Sequence, residues 1–264
     1  EACKMRAARQ MWAQLLAERY GITDPKLANL RIHCVTAGSR MTYQQPFNNI
    51  VRGTIMGLAG ALGGIQSLGV SGYDEALSIP SEHAHQMSVR IQQILQNETN
   101  LTAVADPLGG SYYAEALTAE LIERGRAFKD EILDQGGYLA TLDNGWMLAR
   151  ANENQIAEFE AQDQGEQIVV GVNAFHDDVS PHEVDGFMGV DDTYDVALER
   201  LNEIRRSRHE AAAGDALKAL REGCRGSANV MPLMMEALDS DVTLGEIGDV
   251  FRQTFGDWQP PITV

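Results

Sequence analysis

The chain has 264 residues, 44% of them hydrophobic and 22% charged, which is ordinary globular composition with enough apolar side chains for a sizeable core. Its formal charge is −17 and its pI about 4.7, so a nucleic acid or an anionic membrane surface is a poor partner. No run of 18 uninterrupted apolar residues occurs to span a bilayer, and Met5-Arg-Ala-Ala-Arg9 leads into no apolar signal core.

Met5, Trp12, Leu15, Leu16 and Tyr20 give an amphipathic helix over 5–20. The chain enters this helical pattern at Glu1, without an initiator Met, as a cut or processed chain would. Asn29 to Thr36 is a short β-branched run ending at Ala37-Gly38, and reads as a strand. Pro46 suits a first helical position, and Phe47, Ile50, Val51, Thr54, Leu58 and Leu62 recur at helical spacing behind it. The stretch from Ile55 to Leu62 is apolar or glycine all round and is expected to be deeply packed. Gly63-Gly64 stops that helix, and Ile65 to Val70 reads as a second strand. Ser81 can cap a helix carrying Ala84, Met87, Ile91, Ile94 and Leu95 on one face.

From about residue 111 the pattern becomes helical: one long helix from Ser111 to Gln135 closed by Gly136-Gly137, then another helical stretch to about Ala161. A single strand is expected at 168–173, followed by an acidic irregular loop over 179–192. Helices follow at about 194–207, 209–223, 230–238 and 244–255, the last opened by the capping-box match Thr243-Leu-Gly-Glu246. The boundary expected from this change of pattern separates 1–110 from 111–264.

Strand–helix–strand–helix with short connections is the grammar of a parallel sheet. Two or three parallel strands are not stable with one face bare, and a (β/α)8 barrel takes roughly 250 residues. The sheet is therefore expected to be completed by further polypeptide, in the same chain or another.

Cys3, Cys34 and Cys224 are too few and too scattered for a disulfide framework, and fit reduced thiols in a cytoplasmic protein. His176, Asp177, Asp178, His182 and Glu183 resemble a metal cluster in composition. No regular element holds them in place, and a solvated acidic loop is expected instead of a metal site.

Specific motifs carry more. Arg31-Ile-His33 with Thr36-Ala-Gly38, then Thr42-Tyr-Gln-Gln-Pro-Phe-Asn-Asn-Ile-Val-Arg52, Leu62-Gly-Gly-Ile-Gln-Ser-Leu68, Asp74-Glu-Ala-Leu-Ser-Ile-Pro80, Asp106-Pro-Leu-Gly-Gly-Ser-Tyr-Tyr113 and Val170-Gly-Val-Asn173 appear in order. Together they resemble the methylmalonyl-CoA mutase family. The likeness is dense over about 5–175 and thin afterwards. It implies an α/β fold: the last two strand–helix units of a TIM barrel, then a mostly helical extension. It implies a radical carbon-skeleton rearrangement of a short acyl-CoA, in which adenosylcobalamin carries the hard chemistry and protein supplies orientation and a dry cavity. It also implies partners: the first barrel units of the large chain, and a cobalamin-binding small subunit or domain that ligates cobalt. The cobalt-ligating Asp-x-His-x-x-Gly signature is absent from this sequence.

The same resemblance assigns residues. Arg31 and His33 alternate along one strand and so share a face. Both would point into the barrel towards acyl-CoA as a buried pair, the plainer alternative for His33 being a hydrogen-bonded core histidine. Gln66 and Ser67 would line the acyl-CoA channel, or else satisfy strand-end backbone groups. Glu75 would hold the ribose of the adenosyl group, or serve as a first-turn carboxylate on the helix dipole. Ser71 would stand beside the adenosyl group. None of these residues is expected to be catalytic. Two positions depart from the family pattern: Val35 where a glutamine is usual, and Gly69-Val70-Ser71 where His-Thr-Asn is usual. These departures imply altered acyl specificity, of the ethylmalonyl-CoA mutase kind, or a weakened site. A non-catalytic assembly or regulatory chain derived from the family is the alternative function.

Overall fold

The computed structural model describes residues 1–176 and 192–261, and among them the fold is mostly helical with one small parallel sheet. These residues fall into two compact units, 1–176 together with Pro261, and 192–260. The boundary expected near residue 110 lies inside the first unit, because the long helix after it packs along the helix that opens the chain.

In the first unit, α1 (Ala2–Tyr20) leads to β1 (His33–Val35), α2 (Asn48–Leu62), β2 (Ser67–Gly69) and α3 (Glu82–Glu98). The helices α4 (Tyr112–Asp134), α5 (Tyr138–Asp143) and α6 (Trp146–Asp163) follow. Local chemistry sets the boundaries. Gly21, at φ 67°, closes α1 in the left-handed conformation. Ser81 Oγ accepts from the Ala84 amide at 3.2 Å and caps α3, and Ser111 caps α4 in the same way. Pro46 precedes α2 by two residues instead of opening it.

The strands pair parallel in the register His33–Ser67, Cys34–Leu68, Val35–Gly69, joined by α2 as a strand–helix–strand unit. Both are shorter than expected, three residues each. On one side of the sheet, Val70, Ile91 and Leu95 form the core, with Ile50, Leu58, Leu68 and Leu101 against them. α2 reaches this core through Gly53, Gly57 and Gly60, which recur on one face. A Cβ on Gly57 would stand 3.3 Å from Leu95 Cδ1 and 3.6 Å from Leu68 Cδ2. The helix is not packed all round as its sequence suggested, since Val51 and Ile55 on the opposite face are 59% and 61% exposed.

The strand expected at 168–173 does not form. Gly171 sits at φ 80°, Asn173 Oδ1 accepts from the Val169 amide at 2.7 Å, and Asn173 Nδ2 donates to the carbonyls of Gln162 and Gln167. The segment is a side-chain-bonded turn with a single bridge between Val170 and Ala174.

The second unit is α7 (Thr193–Ser207), α8 (Glu210–Arg225), α9 (Val230–Asp239) and α10 (Leu244–Phe255). Its core is Ala213, Leu220, Cys224, Ala237, Val242, Ile247 and Val250. The expected capping box is present: Thr243 Oγ1 accepts from the Glu246 amide, and the Glu246 carboxylate accepts from the Thr243 amide at 2.8 Å. Arg208 donates to both Glu246 oxygens, at 2.8 and 2.9 Å, and holds that carboxyl down at about 2.

Candidate functional site on the open face of the sheet

β1 and β2 present His33, Val35, Ser67 and Gly69 on the face turned away from the core, and Arg31 lies two residues before His33, ahead of the strand. His33 Nδ1 and Ser67 Oγ lie 2.8 Å apart across the two strands. Gln66 stands just before that rung: its Oε1 accepts from the Ile32 amide at 2.7 Å and its Nε2 donates to the Gly64 carbonyl at 2.9 Å. Arg31, His33, Gln66 and Ser67 are all exposed. The resemblance implies that Arg31 and His33 are buried inside a completed barrel; in this chain the face that carries them is uncovered.

Past the strand ends, Thr36 and Ser71 continue the ladder with side chains. The Ser71 amide donates to Thr36 Oγ1 at 2.9 Å, and Ser71 Oγ donates to the Thr36 carbonyl at 3.0 Å. The chain then turns through Gly72 to Pro80. Asp74 organises the turn: it is fully buried, and its Oδ2 accepts from the Ser81 amide at 2.8 Å. A Cβ at Gly72 would come within 2.5 Å of Asp74 Oδ1, so glycine there makes room for the buried carboxylate. Glu75 is thereby turned outward, exposed, with its side chain against Gly38, where a Cβ would stand 3.1 Å from Oε1. No cationic side chain pairs with Glu75 among the described residues.

Sequence reasoning missed the residues that brace this edge from below. Asn49, 1% exposed, accepts at Oδ1 from the Thr42 amide (3.0 Å) and Arg52 Nη1 (2.8 Å). Its Nδ2 donates to the carbonyls of Thr42 (2.9 Å) and Tyr73 (2.8 Å). Arg52 also donates to Thr42 Oγ1 at 2.8 Å and the Val170 carbonyl at 2.7 Å, and its burial lowers its pKa. The signal was available: Asn48-Asn49 is a polar pair opening an otherwise apolar helix.

The outer edge of β1 pairs with no strand among the described residues. It borders a cleft of about 570 Å³ lined by Met5, Cys34, Val35, Ile55, Met56 and Leu68, and a second cleft of about 510 Å³ continues from it past Val51, Arg52 and Ile168. The three cysteines are free. Among the described residues no group of three or more His, Cys, Asp and Glu side chains could hold a metal ion, and no helix is long and apolar enough to cross a membrane. Of the cluster noted in the sequence, Asp177, Asp178, His182 and Glu183 lie outside the described residues.

The family model described as methylmalonyl-CoA mutase matches residues 1–257. The chain belongs to the methylmalonyl-CoA mutase family. A probable mitochondrial methylmalonyl-CoA mutase of Caenorhabditis elegans is 38% identical over 97% of this chain and 34% of its own length. The methylmalonyl-CoA mutase of Escherichia coli is 36% identical over 97% of the chain and 36% of its own. The 2-hydroxyisobutanoyl-CoA mutase large subunit of Aquincola tertiaricarbonis is 34% identical over 98% and 46%. The chain thus spans between a third and a half of the length of these mutases.

Proposed function

We propose that this chain is part of the substrate-binding portion of an adenosylcobalamin-dependent acyl-CoA mutase, active in the cytoplasm once completed by the rest of the mutase. The observation that carries the reading is the sheet itself. A parallel pair with one bare face, an unpaired outer edge and an apolar cleft beside Val51 and Ile55 is the shape left for further strand–helix units. With those units in place the two strands become the last of a TIM barrel, and the His33–Ser67 rung turns into its interior. The relative named as a large subunit supports a partner subunit.

In that setting Arg31, His33, Gln66 and Ser67 bind and orient the acyl-CoA. The His33–Ser67 hydrogen bond fixes the ring plane, and the two hydrogen bonds of Gln66 fix its amide. The edge fits the adenosyl side of the cofactor: Glu75 is an outward carboxylate without a cation, able to accept from two adjacent hydroxyls, and Gly38 leaves it space. Ser71 Oγ donates to the Thr36 carbonyl and keeps lone pairs for a further donor. Bound adenosylcobalamin, its cobalt held by another domain or chain, supplies the radical chemistry; the residues here orient the reactants and exclude water. The relatives' names cover a carboxylate-bearing acyl group, methylmalonyl, and an uncharged one, 2-hydroxyisobutanoyl. The test is an adenosylcobalamin titration of the completed enzyme, followed by visible absorbance, with and without Glu75→Gln. Weaker binding by the variant supports the reading, and no corrinoid binding by the completed wild-type enzyme refutes it.

A further inference from the structure

The turn that follows α6 is fastened to the rim that carries Glu75. It is firm in itself: Asn173 closes it on the Val169 amide and on the carbonyls of Gln162 and Gln167, and Gly171 bends it at φ 80°. Two side chains near the start of α2 reach across to hold it, 118 and 130 residues away in sequence. Arg52 Nη2 donates to the Val170 carbonyl at 2.7 Å, and Gln45 Nε2 donates to the Phe175 carbonyl at 3.2 Å. A Cβ on Gly171 would stand 2.9 Å from Gln45 Cδ and Oε1, so the turn lies directly against the Gln45 side chain.

Arg52 is the joint between this turn and the rim. Its other terminal nitrogen, Nη1, donates to Thr42 Oγ1 and to Asn49 Oδ1, both at 2.8 Å. The buried Asn49 in turn donates to the Tyr73 carbonyl at 2.8 Å, two residues before Glu75. These three acceptors of Arg52 are neutral oxygens, so the guanidinium serves here for its span, a planar fork with donors facing two ways. One side chain thus links a carbonyl of the helical extension to the carboxamide that braces the Glu75 loop. A satisfied polar network of this kind stiffens what it joins.

We propose that Arg52 is a positioning residue, through which the helical extension fixes the place of Glu75 and with it the affinity for the adenosyl group. Arg52 acts through Asn49 and the Tyr73 carbonyl, not by contact with that group. This rests on the mutase reading above, with Glu75 as the ribose ligand. The plainer role, a tie that adds stability alone, leaves cofactor affinity untouched in the folded enzyme.

The test uses the completed enzyme and adenosylcobalamin itself, titrated by visible absorbance, with a fluorescent CoA thioester as the control ligand. Two variants loosen the joint from opposite sides, and urea midpoints verify that each is folded in the assay. Arg52→Lys keeps the charge but cannot span Thr42, Asn49 and Val170 together. Gly171→Ala drives a methyl group into the Gln45 side chain at a left-handed position. Each is expected to weaken adenosylcobalamin binding by about threefold or more, the scale on which residues of a coupling network act, with CoA thioester binding unchanged. Both act through one joint, so the double variant falls short of the product of the single effects. Gly57→Leu, which overpacks the core of the same unit away from the joint, binds the cofactor as wild type does. Wild-type cofactor affinity in Arg52→Lys and Gly171→Ala overturns the positioning role and leaves the mutase reading standing. An equal loss in Gly57→Leu, or a parallel loss of CoA thioester binding, does the same. If the completed wild-type enzyme binds no adenosylcobalamin, both are overturned.

Discussion

Replacing Asn49 with alanine removes the brace under the edge that carries Glu75. The wild-type side chain closes four hydrogen bonds in a site that is 1% exposed. Asn49→Ala leaves the Thr42 amide, the Thr42 carbonyl and the Tyr73 carbonyl unpaired, and strips one acceptor from Arg52. A lost neutral bond costs about 1 kcal/mol and a buried orphan more, so with partial relaxation the loss is about 3–4 kcal/mol, a large share of a domain's stability. Arg52→Ala costs less, about 1–2 kcal/mol, because Asn49 keeps its three other bonds. Urea unfolding measures both, followed by the fluorescence of Trp12 and Trp146 in the first unit, with Trp258→Phe silencing the second. A loss under about 1 kcal/mol for Asn49→Ala, below the cost of a single buried bond, refutes the claim that this residue holds the edge together.

Glu246 is held at about 2, against an ordinary 4.5, chiefly by hydrogen bonding to Arg208, with the Thr243 amide and hydroxyl adding to it. Its folded value is depressed, so its contribution is complete above pH 4.5 and is lost as pH falls towards 2. The stability advantage of wild type over Glu246→Gln, on the order of 2 kcal/mol at pH 7, should fade across that window in urea midpoints of the second unit. Gly57→Leu drives a side chain into Leu95 and Leu68 and should cost about 1–3 kcal/mol by overpacking, read as a lower thermal midpoint. Glu75→Gln should weaken adenosylcobalamin binding by roughly tenfold, the scale of a charge-assisted hydrogen bond, with the urea midpoint unmoved because the side chain is exposed.

The helices were legible because their signals are local. Ser81, Ser111 and the Thr243–Glu246 box each sit where the cap forms. The strands were legible in place but not in length, since a ladder needs a neighbour and each strand has one among the described residues. The run 168–173 misled through β-propensity, and Gly171 with the Asn173 side chain decided for a turn. At the site, alternation put Arg31 and His33 on one face. Burial could not be read from it, because alternation tells which side chains share a face and not what covers that face. Asn49 and Asp74 escaped for the opposite reason: their partners are backbone groups 7 and 24 residues away, or across a turn, which no periodicity reveals.

The central claim is that this chain completes an acyl-CoA mutase. The direct measurement joins it to the remaining strand–helix units and a cobalamin-binding subunit, adds adenosylcobalamin, and follows carbon-skeleton isomers of short branched acyl-CoAs by mass spectrometry and NMR. Isomerisation that requires the corrinoid and is lost without this chain is the predicted result. A complex that assembles, binds corrinoid and isomerises no short acyl-CoA contradicts it.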